Sequence, residues 1–445
     1  MIPRFGTDGW RGRAYDELTI DFVRLLGDVA ASVLGGDTFL IGRDTRASGP
    51  DLERAFAEGL ARHGVRIKSM YVVPTPAVAW LSAADRVAAA MISASHNPYT
   101  DNGIKLFAPG GLKLSDITQV RIQDELDRRA AALTAANVLP TEGAAITDSR
   151  GELVRYCDAL VESLEGRNLH PLRVVIDCAN GSNSDVAPAV LAAVGAAVEV
   201  IHNAPNGRNI NDHCGSTYPA DLQRAVVAHQ ADVGLAFDGD ADRVLAVDHQ
   251  GQLVDGDQII AICAVDRHER GVLARNSVAV TVMSNLGFRL AMQARGIDVI
   301  ETPVGDRNVL EALEREGATF GGEQSGHIIF SDLATTGDGL LTALQLLDVV
   351  CRSGRRLADL AADSMTRLPQ VLRNVRVPRP VADLDARLRP TVARVEAELA
   401  GQGRVLIRPS GTEALVRVMV EAPSEAAAAA LAQELTEAVE ALAAE

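Results

Sequence analysis

The chain has 445 residues, 47% hydrophobic and 23% charged, with a formal net charge of −16. That length calls for several domains, and so acidic a balance argues against a nucleic-acid partner or an anionic membrane surface. Pro3, Gly6 and Gly9 break up the opening residues, so neither a signal peptide nor an apolar membrane span of roughly 18 residues is expected.

In chain order, Phe5–Gly12 is a glycine-rich loop, and its Arg11 is either a turn residue or an anion contact. A helix follows from about Thr19, with Phe22, Leu25, Leu26 and Val29 on one face. Then a strand–loop–helix–strand unit recurs. It is first seen as strand 39–43, polar loop 44–50 and helix 51–63, with Gly64 ending the helix. The second copy runs from Arg173–Asp177 to Gly195, and the third from Val278–Val282 to Gly296. Such units build parallel sheets covered by helices. Three related α/β domains with mainly parallel sheets are therefore expected over residues 1–150, 151–250 and 251–368. Residues 369–445 change pattern: strand 371–377, helix 381–400, strands 404–407 and 414–421, and a last helix capped by Ser424. They read as a smaller α+β domain. Five scattered cysteines, odd in number and without Cys-x-x-Cys, suit a reducing cytoplasm.

The densest chemistry lies in Asp238-Gly-Asp-Ala-Asp-Arg243, between two apolar runs. In an extended chain alternate side chains share a face, so Asp238, Asp240 and Asp242 are expected to converge. Three such carboxylates repel unless a hard divalent cation joins them, usually Mg²⁺ where phosphates are handled. An EF-hand would need Gly at the sixth position and Glu at the twelfth, where this chain has Arg243 and His249. A second stretch, Val87–Ser93, reads as a strand running into Ala94-Ser95-His96-Asn97-Pro98. Ser95 is either part of an ordinary turn or an exposed nucleophile, and it lacks a G-x-S-x-G elbow. A phosphate on it would carry a charge of about −1.5 to −2 and be a natural ligand for the metal. Lys105 follows closely, as a cation or a proton acceptor.

Two loops of the third domain, Val304–Arg307 and Gly321–His327, are glycine-rich and polar. Their Glu323 and Ser325 suit sugar hydroxyls, or the loops are simple turns. In the last domain, Arg408-Pro-Ser410-Gly411-Thr412-Glu413 with Arg417 reads as a phosphate nest or, alternatively, as a hairpin turn with surface arginines.

In this order, from Gly6-Thr-Asp-Gly-Trp-Arg-Gly12 to Arg408-Pro-Ser-Gly-Thr412, the motifs resemble those of the α-D-phosphohexomutase family over about Phe5–Glu421. The resemblance implies four domains around a central cleft. It implies that Ser95 is the phosphorylated nucleophile and that Ser95, Asp238, Asp240 and Asp242 hold Mg²⁺. Glu323 and Ser325 would bind the sugar, with Asp306 and Arg307 in the neighbouring substrate loop. Arg408, Ser410, Gly411, Thr412 and Arg417 would hold the substrate's phosphate. Arg11 and Arg243 would steady the phosphoserine or the substrate, and Lys105, with His327 behind it, is the candidate acid or base. Ile92–Pro98, Asp101–Lys105 and Val304–Arg307 resemble the hexosamine-phosphate branch, which implies a hexosamine phosphate substrate and a sugar bisphosphate intermediate. A homodimer is one option for the assembly. Trp10, Asn308 and Ala414 depart from the family pattern. The competing readings are a mutase for neutral hexose phosphates, a Mg²⁺-dependent phosphatase and a non-catalytic sugar-phosphate sensor.

Overall fold

The computed structural model describes residues 3–6, 8–132, 143–377, 383–409 and 414–444. It divides into two compact units, Met1–Met283 with Ile297–Ser364, and Ser284–Gly296 with Met365–Glu445.

The first unit holds three sheets, each with a parallel core and antiparallel strands at one edge. In the first, Ala88–Ile92, Thr38–Arg43, Arg66–Val72 and Ile146–Asp148 run parallel. Asp101–Ala108 and then Trp10–Arg13 add antiparallel beyond Ala88–Ile92. In the second, Val233–Phe237, Arg173–Asp177 and Ala197–Ile201 are parallel, and Val244–Asp248 and Leu253–Val254 close the edge antiparallel. In the third, Asp298–Thr302, Ser277–Thr281 and Phe320–Gly322 are parallel and Ile328–Phe330 is antiparallel. The central strands are nearly all apolar because both faces are covered: every residue of Ala88–Ile92, Val233–Phe237 and Ser277–Thr281 is buried.

The recurring unit takes the expected form. Gly64, Gly195 and Gly296 have φ of +68°, +87° and +70°, a region open to glycine, and each turns the chain from a helix end into the next strand. Thr19 caps the helix Ile20–Leu34 by accepting the Phe22 N–H. One stretch read as a loop is a strand instead. Trp10–Arg13 pairs with Asp101–Ala108, matching Arg11 with Gly103. The glycines hide this strand from pattern reading, and Trp10 stabilises it: its indole is fully buried, stacks edge-on against Phe5 at 4.8 Å and donates to Gln123 at 3.2 Å. Lys105 therefore stands on a buried strand opposite Met91.

In the second unit, Gln370–Arg376, Leu415–Glu421 and Arg404–Pro409 form an antiparallel sheet with Leu415–Glu421 in the centre. Helices Leu384–Leu399 and Glu425–Ala444 cover it, joining Leu388 and Val395 to Leu435 and Val439 in one core. Glu421 ties Ser284–Gly296 to this sheet. Fully buried, it accepts the Leu286 N–H at 2.8 Å and the Arg404 Nε–H at 2.8 Å.

Candidate active site

In open α/β sheets, ligand sites lie beyond the C-terminal ends of the parallel strands. Ser95 follows Ala88–Ile92, Asp238 follows Val233–Phe237, Asp306 follows Asp298–Thr302 and Glu323 follows Phe320–Gly322. Three separate sheets thus deliver their polar loops to one region of the first unit.

The Asp238 and Ser95 loops meet directly. The Ser95 hydroxyl donates to Asp238 Oδ2 at 2.6 Å, and both residues are buried. A Cβ on Gly239 would fall 2.8 Å from the Ser95 carbonyl oxygen, so a side chain there would push the loops apart. The three carboxylates do converge, with ligand atoms within 4.8 Å of one another, but not by strand alternation. The segment is a turn: the Ala241 N–H donates to the Asp238 carbonyl at 3.1 Å and Ala241 takes a left-handed φ of +63°. Asp240 Oδ1 and Asp242 Oδ1 are buried without a hydrogen-bond partner. Two orphaned carboxylate oxygens beside Asp238 suit a hard divalent cation. Burial and the charges of Asp242 and Asp240 push the Asp238 pKa well above the usual carboxylate range.

Lys105 balances this charge. Its ammonium donates to Asp240 at 2.7 Å and Asp242 at 3.0 Å and lies 3.2 Å from Asp8. Burial opposes its charge, but Asp240, Asp242 and Asp8 outweigh it and hold the pKa well above the ordinary lysine value. In this arrangement Lys105 is a fixed cation. Burial works against the charge of Asp8 too, but Lys113 and Lys105 keep it ionised. Lys113 also bonds Asp306, the first residue of the helix Asp306–Glu316. His327 lies between two carboxylates, with Nδ1 3.7 Å from Asp242 and Nε2 3.5 Å from Asp306. Burial disfavours a charged ring, but the two carboxylates outweigh it and raise its pKa. Nε2 also accepts the Gly337 N–H at 3.2 Å, which selects the neutral ring carrying its proton on Nδ1.

Asp8, Arg11, Ser95, His96, Asp242, Arg243, Asp306, Glu323 and His327 share a cavity of ≈ 390 Å³. Arg11 Nε and Arg243 Nε are buried there without hydrogen-bond partners, an arrangement suited to an anionic ligand. Glu323 accepts the Gly305 N–H at 3.0 Å, which fixes the two third-sheet loops together. Other residues singled out in the sequence lie elsewhere. Arg307 pairs with Asp116 and Glu311, and Ser325 is exposed outside the cavity lining. Arg408 and Arg417 face each other across two strands of the second unit. Ser410, Gly411 and Thr412 lie outside the described residues.

Several residues here carried no clear signal in the sequence. Asp8 and Lys113 complete the ion network. His96 Nδ1 lies 3.3 Å from the Ser95 hydroxyl, and burial together with Arg243 and Arg11 lowers its pKa to about 4, so the ring is neutral. Arg46, in a stretch read only as a polar loop, is fully buried beneath Ser95. A second grouping, Asp177, His202 and Cys214, also has metal-ligand chemistry. Asp177 already accepts the N–H groups of Ala179 and Gly215, each at 2.9 Å, which makes it a loop anchor.

Family models cover almost the whole chain. Phosphoglucomutase/phosphomannomutase α/β/α domains I, II and III match residues 3–132, 154–251 and 255–368, and the C-terminal domain matches 372–438. The chain belongs to this phosphohexomutase family. Within the family it is 51% identical to the phosphoglucosamine mutase of Frankia alni, over 99% of both chains. It is 50% identical to that of Saccharopolyspora erythraea, over 99% of this chain and 100% of the relative. A Burkholderia thailandensis phosphoglucomutase/phosphomannomutase family protein shares the fold at a TM-score of 0.81 and 24% identity, covering 99% and 98% of the two chains. Aspergillus fumigatus N-acetylphosphoglucosamine mutase, solved with GlcNAc-6P and magnesium, shares it at 0.69 and 20% identity, covering 100% and 96%. No helix among the described residues is long and apolar enough to cross a membrane.

Proposed function

We propose that this phosphohexomutase is a phosphoglucosamine mutase, interconverting glucosamine-6-phosphate and glucosamine-1-phosphate through a phosphorylated Ser95 and a bisphosphorylated sugar. The observation that carries this reading is the contact between the Ser95 hydroxyl and Asp238 at the edge of the three-carboxylate turn, beside a cavity with two buried arginine nitrogens that make no hydrogen bond. Full-length relatives at about half identity bear the same name.

Phosphoryl transfer relies on positioning and charge neutralisation more than on strong base catalysis. A free hydroxyl of the sugar phosphate attacks phosphorus, the bond to Ser95 Oγ breaks, and the bisphosphate forms. After the sugar turns over, Oγ takes back the other phosphoryl group and the product leaves. The hydroxyl's proton passes to a cavity base, for which the neutral His96 is the available imidazole, since His327 Nε2 is taken by the Gly337 N–H. Arg11 and Arg243 offer Nε–H groups to the transferring oxygens, and Lys105 fixes the carboxylates from below. Asp238, Asp240 and Asp242, with the Ser95 phosphate, fit Mg²⁺, which when bound neutralises charge on the phosphoryl group. Glu323 binds the sugar, and Arg408 and Arg417 offer cations to the substrate's own phosphate. Segments 1–150, 151–250, 251–368 and 369–445 thus divide nucleophile, metal, sugar and phosphate between them. Five free cysteines favour the cytoplasm as the site of action.

The test is intact mass and turnover together. Active enzyme should carry one phosphoryl group that moves to the sugar in a single turnover. Ser95→Ala should lack that group and show no turnover above background while still binding sugar phosphate. Turnover by Ser95→Ala at the wild-type rate would overturn the reading.

A further inference from the structure

Ser95 has the left-handed backbone conformation, with φ of +53°. This region is uncommon for a residue with a side chain and persists only where the surroundings enforce it. Here a single buried ion pair reaches both sides of the residue. Arg46 and Asp44 are joined at 2.8 Å with both side chains fully buried. On the carbonyl side, Arg46 Nη2 donates to the Ser95 carbonyl at 2.9 Å and to that of Asn97 at 2.8 Å. Its Nη1 donates to the Asp101 carbonyl at 3.0 Å and to that of Pro98. On the amide side, Asp44 Oδ2 accepts the Ser93 hydroxyl at 2.6 Å, and that hydroxyl oxygen accepts the Ser95 N–H at 2.9 Å. A closed ring of hydrogen bonds therefore runs Arg46, Asp44, Ser93, Ser95 and back to Arg46.

Arg46 has no donor left over for a ligand. Nε is taken by Asp44, and both terminal nitrogens are bound to carbonyls. A guanidinium fork is needed for this, because one lysine ammonium cannot span four carbonyls spread over residues 95–101. The residue also lies away from the cavity lining. Asn211, from the second sheet's domain, donates to the same Ser95 and Asn97 carbonyls at 2.9 and 3.0 Å. Thr45, next to Arg46, bonds the Asn180 carbonyl at 2.6 Å, and the Ala47 N–H bonds that of Gly207 at 2.9 Å. The Ser95 loop is thus held between two sheets.

We infer that Arg46, through its ion pair with Asp44, is a positioning residue for the nucleophile: it fixes the Ser95 backbone so that Oγ and its phosphoryl group meet the acceptor hydroxyl in line. The inference rests on the mutase reading above. A misplacement of about 1 Å costs on the order of 100-fold in rate, and a loosened loop also lets water compete for the phosphoryl group.

The experiment compares wild type with R46K and N211A, each loaded with phosphate on Ser95. Three readouts are taken: kcat and KM for glucosamine-1-phosphate, the partition of the phosphoryl group between sugar and water in a single turnover, and the melting temperature. R46K should lose roughly 100-fold in kcat with KM within about twofold, and should pass more of the phosphoryl group to water. N211A, which leaves the ion pair intact, should move both readouts in the same direction and less. A purely structural role would lower the melting temperature and the active fraction while leaving the partition at its wild-type value, and that result overturns the inference. If R46K does not fold, an unchanged kcat and partition in N211A overturn it equally. If wild type itself gives no mutase turnover, the underlying reading fails instead, and the two failures stay distinct.

Discussion

Lys105 shows how this site stores charge. It touches three carboxylates from two loops, and together they outweigh burial and the charge of Arg11 and hold it ionised. Breaking a buried pair by removing one partner costs about 3–5 kcal/mol because the remaining charge is uncompensated. Lys105→Met should therefore melt clearly below wild type in chelator, and a divalent cation should return much of the difference by binding the freed carboxylates. Thermal unfolding with and without cation checks this. Equal melting of variant and wild type in chelator would contradict it. At this scale the three aspartates were readable, because carboxylates crowded into one short loop announce their chemistry. Arg46 was not readable, because apart from Asp44 its partners are backbone carbonyls, which leave no trace in residue identity. Asp8 and Lys113 were missed because their pairing spans 105 positions.

Among the elements, the helix Gly339–Ser353 starts on Asp338, which accepts the N–H groups of Leu340 and Leu341 at 3.0 and 2.9 Å and the Tyr156 hydroxyl at 2.9 Å. Burial pushes the Asp338 pKa up to about 6, against the donors that favour its charge. The folded protein thus keeps a proton that the unfolded chain releases near pH 3.8. The stabilisation from this group is complete below pH 3.8 and is lost as the pH rises through about 6. Asp338→Asn keeps the cap without the titration. The stability of D338N relative to wild type should rise by roughly 2 kcal/mol from pH 4 to 7, read by denaturant unfolding at each pH. A pH-independent difference would refute the assignment. Periodicity revealed the long amphipathic helices, and helix-ending glycines revealed the repeated unit. One strand was hidden by glycine-rich sequence, and the aspartates converge through a left-handed Ala241, a backbone choice that side-chain alternation does not predict.

For the whole molecule, net acidity and the cavity's sorted charges point the same way: an acidic protein that concentrates a few cations where a sugar phosphate reacts. The α/β domains were legible because each repeats one physical pattern, and the C-terminal unit because its pattern changes. The grouping of Ser284–Gly296 with that unit was not legible. It depends on Glu421, which lies more than a hundred residues downstream and presents a buried carboxylate to the start of a helix. Sugar choice is the part of the account that motif chemistry reaches least, since Trp10 and Asn308 depart from the family pattern and Ser325 sits outside the cavity. The decisive measurement is therefore kcat/KM for glucosamine-1-phosphate, glucose-1-phosphate and mannose-1-phosphate under identical conditions, with the metal saturating. The account predicts a clear preference for the amino sugar, lost in Ser95→Ala. A clear preference for either neutral sugar would contradict it.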